Sequence, residues 1–336
     1  MSIIITLLIT TFSLWKPIFT DQIKTYAERP MANSENYSVS IASQYVCDLG
    51  EGPFYESTSD SIYYVDAFKG TIIRSPLNNE PKDIHALGFR LVSLIIPYAN
   101  DSQTFLITLD EKVAKYNWAT RNVQILSSLP PHVDGKERFN DGKCDSRGRL
   151  IVGSVVESNQ FQGIVKGKGS IYRLEGNQLK KLADGFTLSN GMDWSVDGEL
   201  FYFNDSEDQK IYVFDYDQEN GTLSNKRVFI DFKNHTEFKS NEYPDGLVVD
   251  ANNFIWTALY GGGRLVKINS RTAKVELSIN VPASKVTSLT FGEPQLNKIY
   301  VTSSHSETEP DSGKLYLIHS INSEIKGKGL AQKFVS

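Results

Sequence analysis

Arg138-Phe139-Asn140-Asp141-Gly142-Lys143 puts a cation, a neutral amide and a carboxylate within four residues, ahead of the apolar run Leu150-Ile151-Val152. Three further segments repeat the pattern: Leu49-Gly50-Glu51-Gly52-Pro53, Leu188-Ser189-Asn190-Gly191-Met192-Asp193-Trp194 and Tyr243-Pro244-Asp245-Gly246. Each reads as a loop that sets an oxygen-bearing side chain beside a glycine. Glu, Asn and Asp oxygens brought together are the ligand set of a hard divalent cation such as Ca²⁺ or Mg²⁺. Taken singly, each segment reads equally well as an Asx-type turn, because Asn, Asp and Gly are the residues turns prefer. The set acquires meaning only in a fold that brings four distant segments to one place.

From residue 38 onward the chain alternates short β segments with turn residues and shows no convincing amphipathic helix. Hairpins are expected over 61–74, 103–116, 149–174, 199–214, 253–268 and 298–318. Their equivalent apolar positions, Ile62, Phe105, Leu150, Leu200, Ile255 and Ile299, recur at steps of 43, 45, 50, 55 and 44 residues. That spacing lies in the range of propeller blades. With one strand added before each hairpin, the reading is all-β, a six-bladed β-propeller. A sandwich would supply the strands without the larger period. The ring has to close, and the strand around Val39 to Val46 is expected to pair into the last blade. The innermost strands of a propeller converge on a central channel, where the four polar segments can meet.

The composition, 40% hydrophobic and 22% charged over 336 residues, excludes disorder and allows a large core. A net charge of -5 argues against nucleic acid as a partner and suits a cation site in an acidic cleft. Cys47 and Cys144 match no metal-ligand spacing and are expected as independent buried thiols. The five scattered histidines are assigned to surface or packing, Gly261-Gly262-Gly263 to a hairpin turn, and Trp194 and Trp256 to the core.

Met1 to Trp15 is apolar and uncharged, too short to span a bilayer and suited to a signal-peptide core. No basic residue precedes it, and the region after it makes a poor cleavage site. The division expected is a leader over 1–20, an N-terminal segment over 21–37 and one propeller domain over 38–336. Sequons at Asn36, Asn100, Asn204, Asn220 and Asn234 favour secretion, with no membrane attachment once the leader is removed. A cytoplasmic product starting at Met1 or Met31 is the alternative.

In chain order, Gly50-Glu51-Gly52-Pro53, Arg138-Phe139-Asn140-Asp141-Gly142-Lys143, Ser189-Asn190-Gly191-Met192-Asp193-Trp194, Pro244-Asp245-Gly246 and Val286-Thr287-Ser288-Leu289-Thr290-Phe291-Gly292 resemble the SMP30/gluconolactonase/luciferin-regenerating enzyme family, also called the regucalcin family. Leu91-Val92-Ser93-Leu94-Ile95-Ile96-Pro97 is most similar to its insect-type branch. The resemblance implies a six-bladed propeller with one divalent metal held by Glu51, Asn190 and Asp245. Ca²⁺ comes first, with Zn²⁺, Mg²⁺ and Mn²⁺ as alternatives. It further implies that Asp245 is the general base and that Arg138 and Asn140 contact a small-molecule substrate. The activity implied is hydrolysis of a lactone or related cyclic ester. Two alternatives come with the family: a regucalcin-like calcium-binding protein with little catalysis, and a luciferin-regenerating-type hydrolase of an aromatic nitrile or thiazoline-like compound. One departure stands out. The family often has an acidic residue at the position of Ser158, whereas here the carboxylate is Glu157, on the opposite face of the strand. The loop from Glu157 to Lys168 is expected as a lid, with Phe161, Ile164 and Val165 over the channel mouth.

Overall fold

The computed structural model describes residues 36–77, 83–158, 163–320, 325–329 and 331–336. Its strands form six antiparallel sheets of four. Five sheets are built from consecutive strands, and the sixth borrows Tyr37–Ser43, which pairs with Leu315–Ser320. The closing strand therefore lies where the sequence places it, and the first and last parts of the chain lock the ring together. Central strands such as Ser61–Asp66 are buried throughout because neighbouring blades cover both of their faces. Trp256, Leu265, Leu289, Val301 and Tyr316 share one such inter-blade core, and Trp194 packs in another. Cys47 and Cys144 are buried and unbonded to each other.

The innermost strands are Gly50–Glu56, Val92–Tyr98, Gly135–Cys144, Ser189–Trp194, Tyr243–Val249 and Val286–Gly292. The four polar segments expected as loops lie within these strands, which is a correction to the sequence reading. In all six strands the register slips at one equivalent place, so that two residues face one on the partner strand. The doubled pairs are Gly52-Pro53, Ser93-Leu94, Asn140-Asp141, Asn190-Gly191, Asp245-Gly246 and Thr287-Ser288. A β-bulge bends its strand and re-aims a side chain. Repeated six times around a channel, it turns a ring of side chains inward.

The glycines of three of these motifs serve close approach. Gly142, Gly191 and Gly246 are absent from the positive-φ glycines, so no turn geometry demands them. A Cβ on Gly191 would lie 2.2 Å from Leu247 N, and one on Gly246 would lie 2.3 Å from Ser288 Oγ. Each bulge is pressed against the next blade, and only glycine leaves room.

The chain end crosses the opposite face and touches every blade. Ala251 N donates to Lys326 O, Gly327 N to Leu296 O and Phe334 N to Pro97 O, while Val335 N donates to Gly148 O. Lys328 Nζ pairs with Asp193 Oδ1 at 2.6 Å, and Lys333 Nζ with Glu56 Oε1 at 2.6 Å. Burial works to raise the Glu56 pKa, but Lys333 and the Ser59 and Thr58 amides outweigh it and hold the group at about 2. A depressed folded pKa contributes stability that is complete above the unfolded value of about 4.3 and is lost as pH falls towards the folded one. Acid melting curves should therefore show a loss between pH ~4.3 and about 2 that shrinks in Glu56→Gln. An unchanged acid profile in that variant would contradict the tie.

The expected leader and most of the segment before residue 37 lie outside the described residues. Asn204 is fully buried, and its Nδ2 donates to Asp245 O at 2.6 Å and Thr257 Oγ1 at 2.9 Å, so that sequon leaves no room for a glycan. Asn100, Asn220 and Asn234 are exposed and Asn36 is half-buried. No helix among the described residues is long and apolar enough to cross a membrane.

Candidate active site

The channel is divided into two cavities. The larger, about 760 Å³, is lined by Glu51, Ser93, Arg138, Asn140, Asn190 and Asp245. All five site residues expected from sequence are thus in one place, supplied by the first, third, fourth and fifth blades. The first residue of the bulge supplies four of these six lining residues: Ser93, Asn140, Asn190 and Asp245. The smaller cavity, about 280 Å³, lies on the far side and is closed by the chain end through Lys328, Gly329, Ala331 and Gln332. Asp141 borders both cavities.

Asn190 and Asp245 are each only 5% exposed. Asn190 Nδ2 donates to Ser206 Oγ at 3.0 Å, and Ser206 Oγ donates to Pro244 O at 2.6 Å, which fixes the amide's orientation. Asn190 Oδ1 and Asp245 Oδ1 are buried and accept no hydrogen bond. Such atoms cost free energy unless a partner arrives. Glu51 Oε2 accepts only the adjacent Gly52 N–H at 3.2 Å. Burial pushes the Glu51 carboxyl well above its usual range, and the Asp245 and Asp141 charges push it further. Asp245 is raised by burial and by Asp141, and the neighbouring Asn190 amide offsets only part of this. Asp141 is raised by burial, with the Gly142 N–H and Lys143 pulling it back.

Three carboxylates that repel one another beside two unbonded oxygens fit a bound divalent cation, whose charge would reverse the local pKa logic. Among the described residues no three His, Cys, Asp or Glu side chains gather closely enough to hold an ion.

Arg138 is 3% exposed, and its Nε donates to Glu157 Oε1 at 2.5 Å. Its Nη1 donates to Asn140 Oδ1 at 2.9 Å, and Asn140 Nδ2 donates to Ser189 O at 2.9 Å, tying the third blade to the fourth. Burial alone would raise Glu157, but Arg138 and then Arg90 bring it below its usual value. Glu157 thus holds Arg138 in place, from the same face of the sheet, since Lys136 pairs with Glu157 and Arg138 with Val155. Part of the segment expected as a lid is paired back to the strand: Glu157 pairs with Ile164, and Val165 N donates to Val156 O at 2.7 Å. Gly163, Ile164 and Lys166 line the cavity, while Phe161 lies outside the described residues.

Sequence reasoning missed Phe68, Tyr243, Tyr260, Lys285 and His305, which also line the cavity. Tyr243 directly precedes Pro244-Asp245-Gly246 and was within reach of the motif. The others come from strand ends and connections between strands, with no local pattern to mark them. His305 is the one histidine in the wall; His85 is buried against Tyr116 instead.

Residues 49–305 match the family described as SMP-30/Gluconolactonase/LRE-like region. Regucalcin of Macaca fascicularis is 30% identical over 266 residues, covering 79% of this chain and 86% of that protein. A solved luciferin-regenerating enzyme superposes with a TM-score of 0.79 at 26% identity, over 89% of this chain and all of that one. A calcium-binding protein, regucalcin, from Agrobacterium tumefaciens superposes with a TM-score of 0.77 at 22% identity, over 89% and 98% of the two chains.

Proposed function

The chain belongs to the SMP-30/gluconolactonase/LRE-like family, and on that premise we propose a divalent-cation-dependent hydrolase of a lactone or related cyclic ester. The observation that carries the reading is the pair of unbonded buried oxygens, Asn190 Oδ1 and Asp245 Oδ1, beside Glu51 in a cavity of small-molecule size. Glu51, Asn190 and Asp245 would hold the cation, Ca²⁺ foremost given an all-oxygen set, with Mg²⁺, Mn²⁺ and Zn²⁺ as competitors. Such an ion, when bound, polarises a carbonyl and stabilises negative charge on its oxygen.

The chain's own side chains do the rest. Asp245 takes a proton from the attacking water. Arg138, clamped by Glu157, presents a fixed guanidinium edge to substrate oxygens, and Asn140 is held beside it. Leu49, Leu91, Ile164 and Leu188 line the cavity and displace water around the reacting bond.

Purified protein supplied with Ca²⁺ should open gluconolactone or an aryl lactone in a pH-stat assay. Cation binding without turnover on any lactone, ester or aromatic nitrile would instead favour the calcium-binding reading of the same oxygen set.

A further inference from the structure

Tyr260 forms the wall next to Asp245, and the reading above gives it no role. It ends the strand Phe254–Tyr260 and pairs in register with Tyr243, two residues before Asp245. It lines the same cavity as Glu51, Asn190, Asp245 and Ser304. Arg138 and Asn140 stand two blades away round the ring, so the cavity has donors on two sides. A phenol keeps its proton at neutral pH and can act there as a hydrogen-bond donor.

Resting on the reading of this site as a lactone hydrolase, we propose that the Tyr260 hydroxyl touches the substrate and donates a hydrogen bond to the ring oxygen that leaves. The water oxygen bonds to the acyl carbon and its proton goes to Asp245. The ring C–O bond breaks with its electron pair on the ring oxygen, and the proton held by Asp245 passes to that oxygen. Tyr260 keeps its own proton throughout. The product is an open hydroxy acid, whose carboxyl proton is lost to solvent.

A donor aimed at the departing oxygen matters most where that oxygen carries most charge. An alkoxide leaving group therefore needs Tyr260 more than a phenolate does. Tyr260→Phe removes one oxygen and keeps the ring's packing, so the variant should fold. Full-length wild type and variant are compared on an alkyl δ-lactone and on a p-nitrophenyl ester, with Ca²⁺ affinity measured by calorimetry. The variant should lose about 10²-fold in kcat on the lactone, lose far less on the aryl ester, and bind Ca²⁺ as wild type does. An equal loss on both substrates, no loss on the lactone, or weakened Ca²⁺ binding overturns the assignment to Tyr260 alone, provided that wild type turns over. Wild type that turns over neither substrate overturns the hydrolase reading and this proposal together.

Discussion

Asp245→Asn should abolish turnover and at the same time raise the thermal stability of the cation-free protein. The first half follows from chemistry. Asn cannot take a proton from water, and loss of a positioned base costs about 10²–10⁴-fold, to which the lost cation charge partner adds. The second half follows from electrostatics. Burial and Asp141 raise the Asp245 carboxyl above its unfolded value. A raised folded pKa contributes stability that is complete below the unfolded value of about 3.9 and disappears as pH rises through the folded one. At neutral pH, without a cation, the buried Asp245 carboxyl is a liability, and the isosteric amide removes it. Scanning calorimetry in EDTA at pH 7 should place the variant above wild type. Calcium should raise the melting temperature of wild type and leave that of the variant nearly unchanged. A variant with undiminished lactone turnover would remove Asp245 from the chemistry.

Gly191→Ala should be a strongly damaging single-methyl change at the channel. The added Cβ would sit 2.2 Å from Leu247 N and 2.5 Å from Asp245 O. Both are backbone atoms of the neighbouring bulge, so no side chain can swing away. Overpacking of a tight contact costs about 1–3 kcal/mol and more where backbone must shift. For a chain of this size that is a fall of roughly 2–5 °C in Tm, or a loss of folded yield. Because the strain falls on the bulge that aims Asp245, lactone turnover should drop with it. A variant melting within about 1 °C of wild type would show that the blades separate easily there.

The recurrence of Ile62, Phe105, Leu150, Leu200, Ile255 and Ile299 was enough to give six blades, because a repeated hairpin leaves a repeated apolar position. The closing strand was legible for the same reason: a ring with an unpaired edge is unstable in water. What the motifs concealed was conformation. Asn190-Gly191 and Asp245-Gly246 have turn composition, yet they are bulged strands whose glycines answer to a neighbouring blade far away in the chain. No local rule shows that. Asp141 was visible beside Asn140, but its place between the two cavities depends on which bulge residue points which way. Tyr260, Lys285 and His305 reach the cavity from strand ends and connections outside the bulges, where nothing in their own neighbourhoods distinguishes them. The chain end lacks an alternating pattern because its hydrogen bonds go to six different blades.

Turnover of a δ-lactone by protein stripped with EDTA and then titrated with Ca²⁺ tests most directly whether Glu51, Asn190 and Asp245 act through a bound ion. Calorimetry on the same sample should show a single site, and activity should return in step with its occupancy. Both signals should be lost in Asp245→Asn. Full turnover in the stripped protein, or Ca²⁺ binding unaltered by Asp245→Asn, would contradict the metal-dependent hydrolase.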